Sequence, residues 1–82
     1  MYELTYSQLF SKQLRKLSKE IQERVVTSLE RCRIRPHDHV KKLVGVPYFS
    51  LRVGDYRIIM NIDEGNLRIF IIEIGHRKKI YE

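Results

Sequence analysis

Phe49-Ser50-Leu51-Arg52-Val53-Gly54-Asp55-Tyr56-Arg57-Ile58-Ile59-Met60 reads as a β-hairpin whose turn sets the register of everything around it. Gly54-Asp55 lies between two alternating apolar runs, with glycine at the first central position, as a two-residue type II′ loop requires. Closing the chain there sets Val53 against Tyr56 and Arg52 against Arg57. Phe49, Leu51 and Val53 then share a face with Tyr56, Ile58 and Met60, so turn chemistry and hydrophobic alternation demand the same register. The other face is left with two arginines directly opposite each other. Like charges so placed destabilise a strand pair by roughly 0.2–1 kcal/mol, which predicts an anion there, either a protein carboxylate or a phosphate.

Working outward, the stretch Tyr2, Leu4, Tyr6 alternates with polar residues and predicts a first strand. Ser7 is an N-cap candidate for a helix carrying Leu9, Phe10, Leu14 and Leu17 on one face and Lys12, Arg15, Lys16 and Lys19 elsewhere. Ser18 caps a second helix with Ile21, Val25, Leu29 and Cys32 at helical spacing, ended by Arg35-Pro36, because a residue before proline avoids the helical region. Residues 37–46 read as a loop with Gly45 and Pro47 near its end. Three strands follow, at about 48–53, 56–62 and 67–74. For the turn at Asp63 to Asn66, face matching favours a three-residue loop, which sets Phe70, Ile72 and Ile74 beside Ile58 and Met60 and sets Glu73 opposite Arg57. The expected fold is α+β, a small, mostly antiparallel sheet of about four strands with an N-terminal α-hairpin on one face. Residues 1–82 form a single domain, and the open face carries Tyr48, Ser50, Arg52, Arg57, Glu73 and Arg77.

A chain of 82 residues, 43% of them hydrophobic, builds only a thin core, so chemistry belongs on an open face or in a groove shared with a partner. Sixteen Lys and Arg against ten Asp and Glu leave a net charge of +6, which favours a polyanionic partner, nucleic acid first. No apolar run is long enough to cross a bilayer, so no membrane partner is expected. The single cysteine, Cys32, forms no internal disulfide, and no signal-peptide pattern opens the chain, so a cytoplasmic location is expected.

Arginines at 52, 57 and 77 on one face suit a phosphodiester, since guanidinium groups donate paired hydrogen bonds and stay charged at any working pH. An ion-pair network is the plainer alternative, but Glu73 neutralises one arginine and not three. Tyr81, beside Arg77, Lys78 and Lys79, either handles a proton or stacks on a base, or simply packs the chain end. His76 alternates onto the core-facing side and is at once a structural residue and a candidate for proton transfer. Lys41 and Lys42 belong to a solvated face that adds phosphate contacts. His37-Asp38-His39 has no third ligand, so no metal site is expected, and Cys32 reads as a small core residue. No pattern for a bound cofactor stands out.

The succession of strand, α-hairpin, Lys42-Leu43-x-Gly45-x-Pro47, Leu51-Arg52-Val53-Gly54-Asp55-Tyr56-Arg57 and Gly75-His76-Arg77-Lys78-x-x-Tyr81 resembles the RelE side of the RelE/ParE toxin superfamily over essentially the full length. The resemblance implies a ribosome-dependent endoribonuclease that cuts mRNA in the decoding site and is neutralised by a small antitoxin in a hetero-oligomer. It matches Arg57 and Arg77 to phosphate-stabilising arginines and Tyr81 to a C-terminal tyrosine that orients the substrate. Arg52, Lys42, Lys78 and Lys79 are then the phosphate-binding cations. The lysines that family members carry on the second strand, one of them a base, are replaced here by Tyr48, Phe49 and Ser50. The base is thus left to Tyr81, His76 or a ribosomal group. A noncatalytic ParE-like inhibitor of a topoisomerase and an inactive RNA-binding relative are the alternatives.

Overall fold

The computed structural model describes residues 1–76. Its elements run β1 (Glu3–Tyr6), α1 (Gln8–Arg15), α2 (Lys19–Cys32), a 3-10 turn at Pro36–Asp38, β2 (Lys41–Lys42), β3 (Phe49–Val53), β4 (Tyr56–Asp63) and β5 (Arg68–His76). They form one five-stranded sheet in the order β1-β5-β4-β3-β2, antiparallel throughout except for the β1–β5 pair. The expected α+β architecture is present with one strand more than the sequence suggested. That strand, β2, has two residues, too few to show alternation, and lies within the segment 37–46 whose sequence predicts a loop. Two lysines on a very short edge also suit a strand that must not recruit another chain.

Both helices begin where their serines stand. Ser7 Oγ accepts from the Phe10 amide at 2.9 Å and Ser18 Oγ from the Ile21 amide at 3.3 Å, each satisfying a first-turn N–H for about 1 kcal/mol. Phe10, Val25, Leu29 and Cys32 turn inward onto Leu51, Val53, Ile58, Met60, Ile69, Ile71 and Ile74, and this is the core. Leu9 is 50% exposed, contrary to its expected place on the buried face. In an eight-residue helix the inward stripe is fixed by Phe10 and Leu14, four apart, and Leu9 falls about 100° outside it. Burial pushes the Cys32 thiol up to about 11, so it is un-ionised at neutral pH and packs as a small apolar residue.

The β3–β4 hairpin has the register read from its turn, with Val53 opposite Tyr56, Arg52 opposite Arg57, Leu51 opposite Ile58 and Phe49 opposite Met60. Gly54 has φ +59°, and Leu67 is the only non-glycine with positive φ among the described residues, so Asp55 keeps the negative φ that type II′ requires.

The β4–β5 pair departs from expectation in two ways. Asp63 pairs with Arg68, so the loop has four residues, Glu64 to Leu67, and not three. It closes through Leu67 at φ +52°, a left-handed position filled by leucine rather than glycine. Asp63 holds the turn by accepting from the Asn66 amide at 3.2 Å and from its side chain at 2.9 Å. Those bonds to Asn66 lower the Asp63 carboxyl below its ordinary value. The second departure is a bulge. Met60 pairs with Ile71 but Ile59 with Glu73, so Ile72 is an extra residue. Ile69, Ile71 and Ile74 therefore face the helices, and Phe70, expected in the core, is 42% exposed.

Helix α1 secures the bulge from the side. The Ser7 hydroxyl donates to the Ile72 carbonyl, and Gln13 Oε1 accepts from the Ile74 amide at 2.8 Å. These bonds continue the edge of β5 where β1 stops, after the Ser7 amide reaches the Ile71 carbonyl at 3.0 Å.

Candidate functional site

The face of the sheet turned away from the helices holds two of the predicted cations, Arg52 and Arg57, by register. Arg52 and Arg57 face each other across the hairpin, two residues from its tip. Arg52 is exposed and its Nε donates to the Gly54 carbonyl at 3.2 Å, which holds the side chain against the turn. Arg57 is half-buried, and on its other side stands Gly75, which has no side chain. Glu73, expected opposite Arg57, faces Ile59, because the longer loop and the bulge each shift the register by one residue. Ile59 and its β3 neighbour Ser50 are buried, so the centre of this face is closed rather than solvated.

The other candidates are distributed by the same geometry. Lys42 pairs with Phe49 and holds its ammonium 5.8 Å from that ring's centroid, on the helix side of the sheet. Lys41 pairs with Ser50 and is the lysine that shares the face of Arg52 and Arg57. Sequence reasoning grouped the two lysines without separating them, since only pairing in a two-residue strand assigns each a side. His76 lies opposite Tyr56, ring against ring at 5.9 Å, on the core-facing side as its alternation predicted. Arg77, Lys78, Lys79 and Tyr81 lie outside the described residues. His37 is accounted for by Glu64 at 2.8 Å and by an edge contact with Phe49, and no cluster of metal-ligating side chains occurs among the described residues.

A second surface lies on the helices. Tyr6, Phe10, Leu14, Val26 and Leu29 line a groove of about 220 Å³ between α1 and α2, with Val26 46% exposed on its rim. Tyr6 stacks on Phe10 at 5.5 Å. Burial first, and the Glu30 carboxylate second, raise its phenol above the ordinary value, so it stays neutral in the groove. No helix among the described residues is long and apolar enough to cross a membrane.

The architecture is shared with solved toxins. It superposes on a chain of the RelBE2 toxin–antitoxin complex of Mycobacterium tuberculosis with a TM-score of 0.85 and 26% identity, covering 93% of this chain and 98% of that one. For the intact RelBE complex of Escherichia coli the values are 0.78 and 25%, over 93% and 96% of the two chains. An archaeal RelE–RelB complex from Pyrococcus horikoshii OT3, at 24% identity and a TM-score of 0.81 over 93% and 94%, shares the fold. The comparison with curated protein sequences gives no match. The family described as the ParE toxin of type II toxin–antitoxin systems matches residues 4–81, nearly the whole length. With that match laid over a RelE-like sheet, the chain belongs to the ParE toxin family and is a toxin of a type II toxin–antitoxin system.

Proposed function

We propose that this toxin is an mRNA endoribonuclease that works on the ribosome, in the cytoplasm, and so inhibits translation. The observation that carries the reading is the apposition of Arg52 and Arg57 across a tight hairpin on the open face, where sheet energetics alone disfavour it. In the reaction the ribose 2′-oxygen attacks the neighbouring phosphorus and the bond to the 5′-oxygen breaks, leaving a cyclic phosphate and a 5′-hydroxyl. Negative charge grows on the phosphoryl oxygens, and Arg57 and Arg77 stabilise it. Arg52, Lys41, Lys78 and Lys79 hold flanking phosphates, Lys42 lying on the other side of the sheet, and Tyr81 orients the base and assists proton transfer. The proton acceptor is Tyr81, His76 or a ribosomal group, because arginine does not deprotonate. No cofactor takes part.

The apolar groove between α1 and α2 supports a protein partner, since it offers a helix a place for its apolar face. The solved relatives are complexes with RelB antitoxins, and we assign this chain a small antitoxin partner in a hetero-oligomer. One observation favours a second reading, a noncatalytic inhibitor of a topoisomerase. The open face of β3 offers Ser50 and Arg52 but no lysine to act as base.

Toeprinting of a defined mRNA on programmed ribosomes, beside the same RNA free in solution, tests the proposal. Cuts confined to the decoding site are expected, slowed about 10²- to 10³-fold by Arg57→Ala. Uncut messages together with accumulating DNA damage in expressing cells would replace the ribonuclease with the topoisomerase reading.

A further inference from the structure

A second set of arginines lies beyond the hairpin tip, in a cleft of about 430 Å³ between α2 and the end of β3. Arg24, Arg31 and Arg52 line it with the hydroxyls of Thr27 and Ser28, against one carboxylate, Glu23. On α2 the residues Arg24, Thr27, Ser28 and Arg31 follow helical spacing and form one stripe along the hairpin. The Arg24 guanidinium reaches the turn itself: a Cβ on Gly54 would stand 3.4 Å from its Nη2. Arg52 comes to the same glycine from the sheet, through its bond to the Gly54 carbonyl. Two guanidinium groups from different elements thus gather at one turn. Among the described residues no carboxylate lies within ion-pair distance of Arg24, Arg31 or Arg52. Convergent cations beside two hydroxyl donors match a phosphate, whose oxygens accept from guanidinium pairs and hydroxyls alike.

We propose that the Arg24–Arg31–Arg52 cleft binds two backbone phosphates of single-stranded RNA, one at Arg24 and one at Arg31, continuing the strand's path from the Arg52–Arg57 face around the hairpin tip onto α2. Arg52 joins the two sites, since it pairs with Arg57 in the ladder and lines the cleft. The choice of RNA rests on the ribonuclease reading; the phosphate chemistry does not. Contacts of this kind position a chain without reading its bases, so the cleft adds affinity to every message alike.

The test is binding of the full-length protein to a short single-stranded RNA methylated at every 2′-oxygen, followed by fluorescence anisotropy across a salt series. Each phosphate contact on a single strand contributes a slope of about 0.7 in log K against log salt, so Arg24→Gln with Arg31→Gln should lower the slope by about 1.4. A fourfold rise in salt then weakens the variant about sevenfold less than the parent. Lysine at both positions, which keeps the charge, should restore the slope. Should the double glutamine variant fail to fold, Arg31→Gln alone decides, with an expected drop of about 0.7. An unchanged slope in a folded variant overturns the cleft. So does an acidic peptide of glutamates that loses binding in the variant while RNA does not, since the occupant is then protein. Ribosomal cleavage without a slope change overturns the cleft and spares the ribonuclease. A slope change without cleavage does the reverse.

Discussion

Between β3 and β4 the chain turns on two residues and the ladder pairs every position from Phe49–Met60 to Val53–Tyr56. Between β4 and β5 it turns through four residues and passes over one beside Ile59 and Met60. The first hairpin is determined locally, by Gly54 and by alternation. The second is held by groups distant in sequence, Ser7 and Gln13 of α1, which take up the Ile72 carbonyl and the Ile74 amide. The arginine pair sits on the locally determined element, whereas the aim of β5 toward its C-terminal end depends on how α1 is docked. Position at a site of this size thus has two independent sources.

Deleting one residue from each hairpin strains that contrast most. Loss of Ile58 turns over one part of β4 relative to the other, sending apolar residues to the open face, and should cost more than about 4 kcal/mol, seen as the loss of a cooperative thermal transition. Loss of Ile72 leaves Ile71 and Ile74 inward and Glu73 outward in an uninterrupted ladder, so that variant should still melt cooperatively. Two equal outcomes would dissolve the distinction. Next in size, Gln13→Ala removes the acceptor of the part-buried Ile74 amide and should cost about 1–3 kcal/mol, with faster hydrogen exchange at Ile74 and little change at Ile58. Smallest is Gly54→Ala. The added Cβ meets Arg24 only at ordinary contact distance, so the φ of +59° sets a cost of about 1 kcal/mol by denaturant unfolding.

The same contrast explains what the sequence discloses. Ser7 and Ser18 as caps, the inward stripe of α2 and the Gly54-Asp55 turn are legible because each depends on neighbours a few residues away. The facing of Arg52 and Arg57 follows from that turn. The bulge is not legible, because Phe70, Ile72 and Ile74 alternate as plausibly as Ile69 and Ile71, and only Ser7 and Gln13 arbitrate. The loop hid in the same way, since its left-handed position holds Leu67 rather than glycine and face matching alone favours three residues. Strand β2 is visible only through its partner, and with it the separation of Lys41 from Lys42. The cleft on α2 escaped because Arg24 and Arg31 look like any solvated helix face until the hairpin tip is placed beside them.

The extra residue at Ile72 also bears on how this strand diverges between relatives. Removing one residue at the bulge leaves the side chains on both sides facing as before, while a gap in the regular stretches of β5 turns the rest of the strand over. Length variation is therefore tolerated at one position, and an alignment that puts the gap in the preceding loop instead will mismatch Ile69, Phe70 and Ile71 by one. Inward residues would then be compared with outward ones, and the strand would look far less alike between two homologues than it is.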